Sequence, residues 1–183
     1  MAVQIGAKRD HGFDDPIGML TDCHRRIENF LRVLDVVCHR AKDRPLSEEE
    51  TSAVQASLDY FRRGGRRHTA DEEESLFPRL RAQLSAADFK ELDGLEHEHE
   101  TADALHTEVD DLCTHWLSSG ALSDADSARL AAAVEELVRI YAGHIRIEEE
   151  VVFPRAAKVL DAGTVKTIGD EFRRRRGEPK STP

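Results

Sequence analysis

His68 and Glu72 stand four residues apart in the sequence, and so do His144 and Glu148. Four residues rise about 6 Å along an α-helix and return to nearly the same face, so each His-x-x-x-Glu pair can aim both side chains at one point. One such pair carries little information. Two pairs, each accompanied by a further histidine upstream, His24 and His99, supply four imidazoles and two carboxylates. Nitrogen and carboxylate oxygen without thiolate suit iron or manganese, and zinc is compatible by ligand type. A carboxylate between two such groups would naturally join two ions. Buried and without a metal, the same six groups would be costly, because isolated buried charges and unpaired polar groups each lose several kcal/mol.

Helices must position these residues. Asp15-Pro16, Pro45-Leu46-Ser47, Ser85 and Ser123 each place a helix-starting residue before a periodic segment, and Ser47/Glu50, Ser85/Asp88 and Ser123/Asp126 resemble capping boxes. The expected helices run at about 16–41, 48–83, 86–118 and 124–160, with a shorter fifth near 164–175. Apolar seams recur at steps of three and four: Ile17, Leu20, His24, Ile27, Leu31, Leu34 and Cys38 in the first, and Val54, Leu58, Phe61, Gly65, His68, Glu72 and Leu76 in the second. Leu92, Leu95, His99, Ala102, His106 and Val109 form the third, and Leu130, Val134, Leu137, Tyr141, His144, Glu148 and Val152 the fourth. Each seam holds polar ligand types where a stable bundle wants leucine. The third helix repeats the first at an offset of 75, His24 answering His99 and Cys38 answering Cys113. The fourth repeats the second at 76, with Phe77-Pro78 answering Phe153-Pro154, so two half-sites are expected to face each other.

Neighbouring residues compete for the same roles. His97 lies about 200° around the helix from His99, so both cannot serve one centre, and the repeat register selects His99. Glu73 and Glu149 are one step off the seam, where solvated charge or support of a ligand is expected. Glu28 and Asp103, each four residues after a seam histidine, are open between orienting an imidazole, adding a ligand and plain surface. His106, on the seam roughly 10 Å beyond His99, reads as a hydrogen-bonded core histidine, and His11, His39 and His115 follow no pattern. Gly65 and Tyr141 hold matching seam positions. The Gly64-Gly65 pair, costing roughly 0.5 to 1 kcal/mol per glycine within a helix, implies room there for Tyr141 or for a small ligand, with Tyr141 as ordinary core the alternative.

Bulk properties exclude several classes. The 183 residues, 39% hydrophobic and 34% charged, describe one domain of ordinary size with a core. No apolar run approaches the roughly 20 residues of a membrane span, and the first residues lack the apolar stretch of a signal peptide, so a cytoplasmic protein with no membrane partner is expected. Cys23, Cys38 and Cys113, odd in number and without C-x-x-C spacing, read as reduced core thiols. A net charge of −10 argues against nucleic acid as partner. The run Arg173 to Arg176 is read as solvated charge. No phosphate loop or nucleophile motif is found. A ferritin-like carboxylate centre would need two E-x-x-H pairs on separate helices, and only Glu96 to His99 fits.

The order H…H-x-x-x-E…H…H-x-x-x-E, with Phe-Pro following both pairs, resembles the haemerythrin-like (HHE) cation-binding domains over roughly residues 14–160. That resemblance implies an all-α, up-down-up-down four-helix bundle with a short C-terminal helix: an arm at 1–13, the bundle at 14–160, and a short helix with a basic tail at 161–183. It implies two non-haem iron ions, an oxo-bridged pair being one form, held by His24, His68, His99 and His144 with Glu72 and Glu148 binding or bridging them. One departure stands out. Oxygen-carrying haemerythrins have an H-x-x-x-H pair on the third helix, whereas here Leu95 precedes His99 by four and Asp103 follows by four, which argues against simple oxygen carriage. The expected ligand is a small molecule: O2, peroxide or NO. Three roles are compatible: a catalase-like or NO/peroxide-reducing oxidoreductase, a module that senses, binds or stores O2, NO or iron, and a metal-stabilised structural bundle. With no output domain expected in the chain, a stand-alone oxidative or nitrosative stress protein is the preferred reading, and a protein partner is not indicated.

Overall fold

A computed structural model describes residues 11–41, 44–83 and 89–179, the side chain of Phe89 excepted. Among the described residues there are helices and no strands. α1 runs Pro16–Ala41. α2 covers 48–83 and contains two π-helical turns, Phe61–Gly65 and Glu72–Leu76. α3 runs Phe89–Ser119, α4 covers 124–159 with a π-helical turn at Glu148–Val152, and α5 runs Ala162–Arg175. The expected start of the third helix at 86 and the Ser85/Asp88 cap lie outside the described residues. The Ser47 box is complete: Ser47 Oγ accepts from the Glu50 amide and Glu50 Oε2 from the Ser47 amide. The Ser123 cap is half-formed, because Asp126 is too short to reach back and instead accepts from the Ser123 hydroxyl.

The four long helices pack in the cyclic order α1, α2, α3, α4, back to α1, and α5 lies on α1 and α2. The seam residues are buried as their periodicity requires, apart from the half-buried Ile17, Gly65 and His106. They form two apolar clusters. One holds Ile27, Leu31, Leu58, Phe61, Ala102, Leu137 and Tyr141, the other Leu20, Leu76, Phe77, Leu95, Val152 and Phe153, joined by Ile168 and Phe172 of α5. On every long helix the ligand-type residues fall where the seam passes from one cluster to the other. A polar layer is thus enclosed by apolar ones, and hydrocarbon burial worth about 1.5 to 3 kcal/mol per large side chain holds it there. Cys23, Cys38 and Cys113 are buried free thiols.

Candidate metal centre

Both π-helical turns that begin at a glutamate, Glu72 and Glu148, interrupt the 3.6-residue period just where the carboxylates enter the core. The wider turn lets Glu72, Ser75, Leu76 and Phe77 all be buried, which a regular helix face would not allow. All six residues singled out by spacing are brought together. Glu72, Glu148 and His24 are fully buried, with His68, His99 and His144 nearly so. His24, His68, Glu72 and Glu148 offer one group of converging ligand atoms and Glu72, His99 and His144 a second, Glu72 being common to both.

The contacts inside this layer are close but poorly satisfied. His24 Nε2 lies 3.0 Å from Glu148 Oε2, and His68 Nε2 3.3 Å from Glu72 Oε1. His99 Nε2 is 3.4 Å from Glu72 Oε2, and His144 Nε2 3.4 Å from Glu148 Oε2. Seven buried atoms, His24 Nε2, both ring nitrogens of His68 and all four oxygens of Glu72 and Glu148, nevertheless have no hydrogen-bond partner of acceptable geometry. Buried polar atoms in native proteins are almost always paired, so this many at one point calls for a further group. Cations fit: the donors are nitrogen and oxygen, and they face one another.

Outside the layer, carboxylates hold the imidazoles by their other nitrogen. Glu149 Oε1 is 2.8 Å from His24 Nδ1 and also accepts from Arg25. Glu73 Oε1 is 2.8 Å from His99 Nδ1, and Glu98 Oε2 is 3.0 Å from His144 Nδ1. Each contact fixes the ring so that Nε2 points inward. The Nε2 atoms of His99 and His144 are then 3.1 Å apart. With both Nδ1 atoms donating outward, two neutral rings would set lone pair against lone pair, and a positive charge between them removes that conflict.

The side chains divide the charge accordingly. Burial, then the neighbouring Glu148, holds the Glu72 carboxyl well above the usual range. Burial would raise Glu148 too, but the close imidazoles of His144 and His24 outweigh it and hold its carboxyl below the usual range. His144 is desolvated yet pushed up to about 9 by Glu148 and Glu98. Burial and then the charge of His24 hold His68 well below the usual imidazole range, and burial with the charge of His144 lowers His99.

The competing residues fall as follows. His97 is exposed beside Glu100, and Glu28 pairs with Arg25 on the surface. Glu73 and Glu149 stand behind the imidazoles as outer partners. Glu98 was missed, because its histidine is on another helix; its place one residue before His99 carries no periodic signal. His106 is the hydrogen-bonded histidine expected, its Nε2 3.2 Å from the Tyr141 hydroxyl, its ring tilted against Phe61 at 4.4 Å. His11 bonds Asp22, while His39 and His115 are exposed. Room for Tyr141 is not what Gly65 provides: a Cβ there would meet only Phe61 Cδ1, at 3.5 Å. Gly65, Tyr141, His106, Asp103 and His99 instead line a cleft of about 450 Å³ that opens to the surface.

The reading of the run Arg173 to Arg176 as solvated charge is overturned at Arg175 and Arg176, while Arg174 is exposed as expected. Arg175 Nη1 is 2.8 Å and Arg176 Nη2 2.6 Å from the two carboxylate oxygens of Asp71, which is fully buried. Spacing gave no hint of it, since the partners are more than 100 positions apart.

Described residues that form helices and no strands, with buried, converging histidines and glutamates, define a candidate metal-binding helical protein. Residues 15–156 match the family described as "Hemerythrin HHE cation binding domain", and the chain belongs to that family. Family and buried His/Glu groups together indicate a hemerythrin-like metal-binding protein. A protein of Haemophilus influenzae, described as uncharacterized, is 27% identical over 168 residues, covering 90% of this chain and 91% of that one. Among the described residues, no helix is long and apolar enough to cross a membrane.

Proposed function

We propose that residues 14–160 form an up-down-up-down four-helix bundle holding two non-haem iron ions through His24, His68, Glu72, His99, His144 and Glu148, and that the protein reacts with a small oxidant (peroxide, O2 or NO) in oxidative or nitrosative stress, in the cytoplasm. The observation carrying this reading is the set of seven unpartnered buried nitrogen and oxygen atoms, concentrated on four of those six residues. When bound, an iron pair supplies the redox equivalents that these side chains lack.

The chain's own residues do the rest. Glu149, Glu73 and Glu98 accept the Nδ1 protons of His24, His99 and His144 and keep the inner nitrogens basic. The apolar clusters on either side exclude bulk water from the layer. The cleft beside His99 gives a small molecule a way to it, and Tyr141 and His106 on its inner wall hold a hydroxyl proton between them. Burial keeps Tyr141 protonated and pushes His106 down to about 4, so neither brings a charge to that wall.

Hydrogen peroxide added to the iron-loaded protein in an oxygen electrode tests the reading. Oxygen release, suppressed in His99→Ala, is the expected result. A spectral change with O2 or NO but no turnover would replace catalysis by sensing or storage, and no response to any of the three would leave a structural metal bundle.

A further inference from the structure

The two glutamate-bearing π-helical turns are related by the 76-residue repeat, yet their surroundings differ. In the α4 turn, the positions flanking Glu148 are Ile147 and Val151. In the α2 turn, the equivalent positions are Asp71 and Ser75, both fully buried. Neither belongs to the ligand set, and a buried carboxylate beside it is costly unless paired. Among the described residues, its ion pairs come from Arg175 and Arg176, at the end of α5. Arg175 and Arg176 grip the two oxygens of Asp71 at 2.8 and 2.6 Å, and Arg175 Nη2 donates to Ser75 Oγ at 2.7 Å. Arg175 Nε also reaches Glu74 Oε2 at 3.1 Å. Four residues beyond Ser75, Arg79 spans the turn and α5: its Nη1 donates to the Ser75 carbonyl at 2.7 Å and its Nη2 to Glu171 at 2.8 Å.

This contact is not incidental to the docking of α5. Ile168 and Phe172, fully buried in the second apolar cluster, seat the helix. Gly169 permits the closest approach, since a Cβ there would stand 1.9 Å from the Phe13 carbonyl oxygen, and Arg173 lies over the Phe13 ring at 4.4 Å. Both Phe13 and α5 lie outside the family match at 15–156. The segments flanking the matched region therefore close on each other and on the turn that presents Glu72.

We propose that α5 is a clasp on the α2 half of the site, in which Arg175 and Arg176, bound to Asp71, are positioning residues that fix the Glu72–Leu76 turn and so retain metal there; among the described residues the α4 turn, whose Glu149 is paired with Arg25 of α1, has no ion pair to α5 and does not depend on it. This rests on the metal-binding reading above. A π-helical turn gives up regular i to i−4 bonding, so outside contacts at 71, 74 and 75 are what keep it from relaxing to a regular helix. Relaxation would rotate Glu72, the residue common to both ligand groups.

Two measurements on the full chain test it, with Arg175→Ala/Arg176→Ala, Asp71→Asn and Arg176→Lys. Amide hydrogen exchange of the metal-free proteins is read first. Exchange at 72–77 should speed up about tenfold or more in the double variant and in Asp71→Asn, with 148–153 unchanged and Arg176→Lys close to wild type. Iron-loaded proteins are then mixed with excess chelator. Release from the two clasp-breaking variants should be about 10- to 100-fold faster than from wild type, and Arg176→Lys should recover most of the difference. Equal acceleration of exchange in both turns would reduce the clasp to general stability and overturn it. Unchanged exchange at 72–77, or unchanged iron release despite faster exchange, would overturn it as well. A wild type that takes up no iron would remove the metal-binding reading, and the clasp's retention role with it.

Discussion

The α2 and α4 half-sites share the His-x-x-x-Glu spacing and a π-helical turn beginning at the glutamate, yet differ in the partners of their histidines. His144 of α4 sits between two carboxylates, Glu148 inside and Glu98 outside. His68 of α2 has Glu72 at 3.3 Å and no hydrogen-bond partner on either ring nitrogen. The cause is one position of the repeat. Glu98 precedes His99, and the residue preceding His24 is Cys23, a buried thiol that burial keeps protonated. On α2 the extra buried carboxylate is Asp71, which faces α5 and not the histidine. A duplicated ligand pattern thus does not duplicate its electrostatics, because the outer partners come from other helices.

The largest expected effect separates the two glutamates. Glu72 is common to both ligand groups, so Glu72→Ala should leave the protein nearly free of metal, while Glu148→Ala should keep about one ion per chain. Equal losses would erase the asymmetry drawn here. Next come the outer carboxylates: Glu98→Gln, Glu73→Gln and Glu149→Gln should each weaken metal binding by about 10- to 100-fold, measured by competition with a chelator. Glu28→Gln, on the surface beside Arg25, should change nothing.

A third prediction concerns pH in the cluster away from the centre. Burial depresses folded His106 to about 4, below the ordinary value of 6.5. Above pH 6.5 both folded and unfolded chains carry it neutral and it has no effect. As pH falls from 6.5 toward 4, only the unfolded chain takes up the proton, so stability is lost across that window, by roughly 3 kcal/mol at its lower end. His106→Phe should flatten that part of the acid denaturation curve of the metal-free protein. The smallest effect is at the complete cap: Ser47→Ala should cost about 1 kcal/mol in denaturant unfolding, leaving metal content alone.

Much of this was legible in the sequence because a helix projects a fixed period. The seams through His24, His68, His99 and His144 are buried as spacing requires, and the selection of His99 over His97 agrees with their burial. The π-helical turns were not legible, since a regular period was assumed throughout and an inserted residue leaves no mark in composition. Nor were Glu98 and the Asp71 pair with Arg175 and Arg176, where the partners meet only after folding. Four consecutive arginines look like a solvated tail until a buried carboxylate is known to lie beneath them.

The most direct measurement is elemental analysis, with an absorption spectrum, of protein purified without added metal. About two irons per chain, falling to near zero in Glu72→Ala, is the predicted result. A folded protein without iron, or one whose iron is unaffected by Glu72→Ala, would contradict the central claim that these six side chains hold an iron pair.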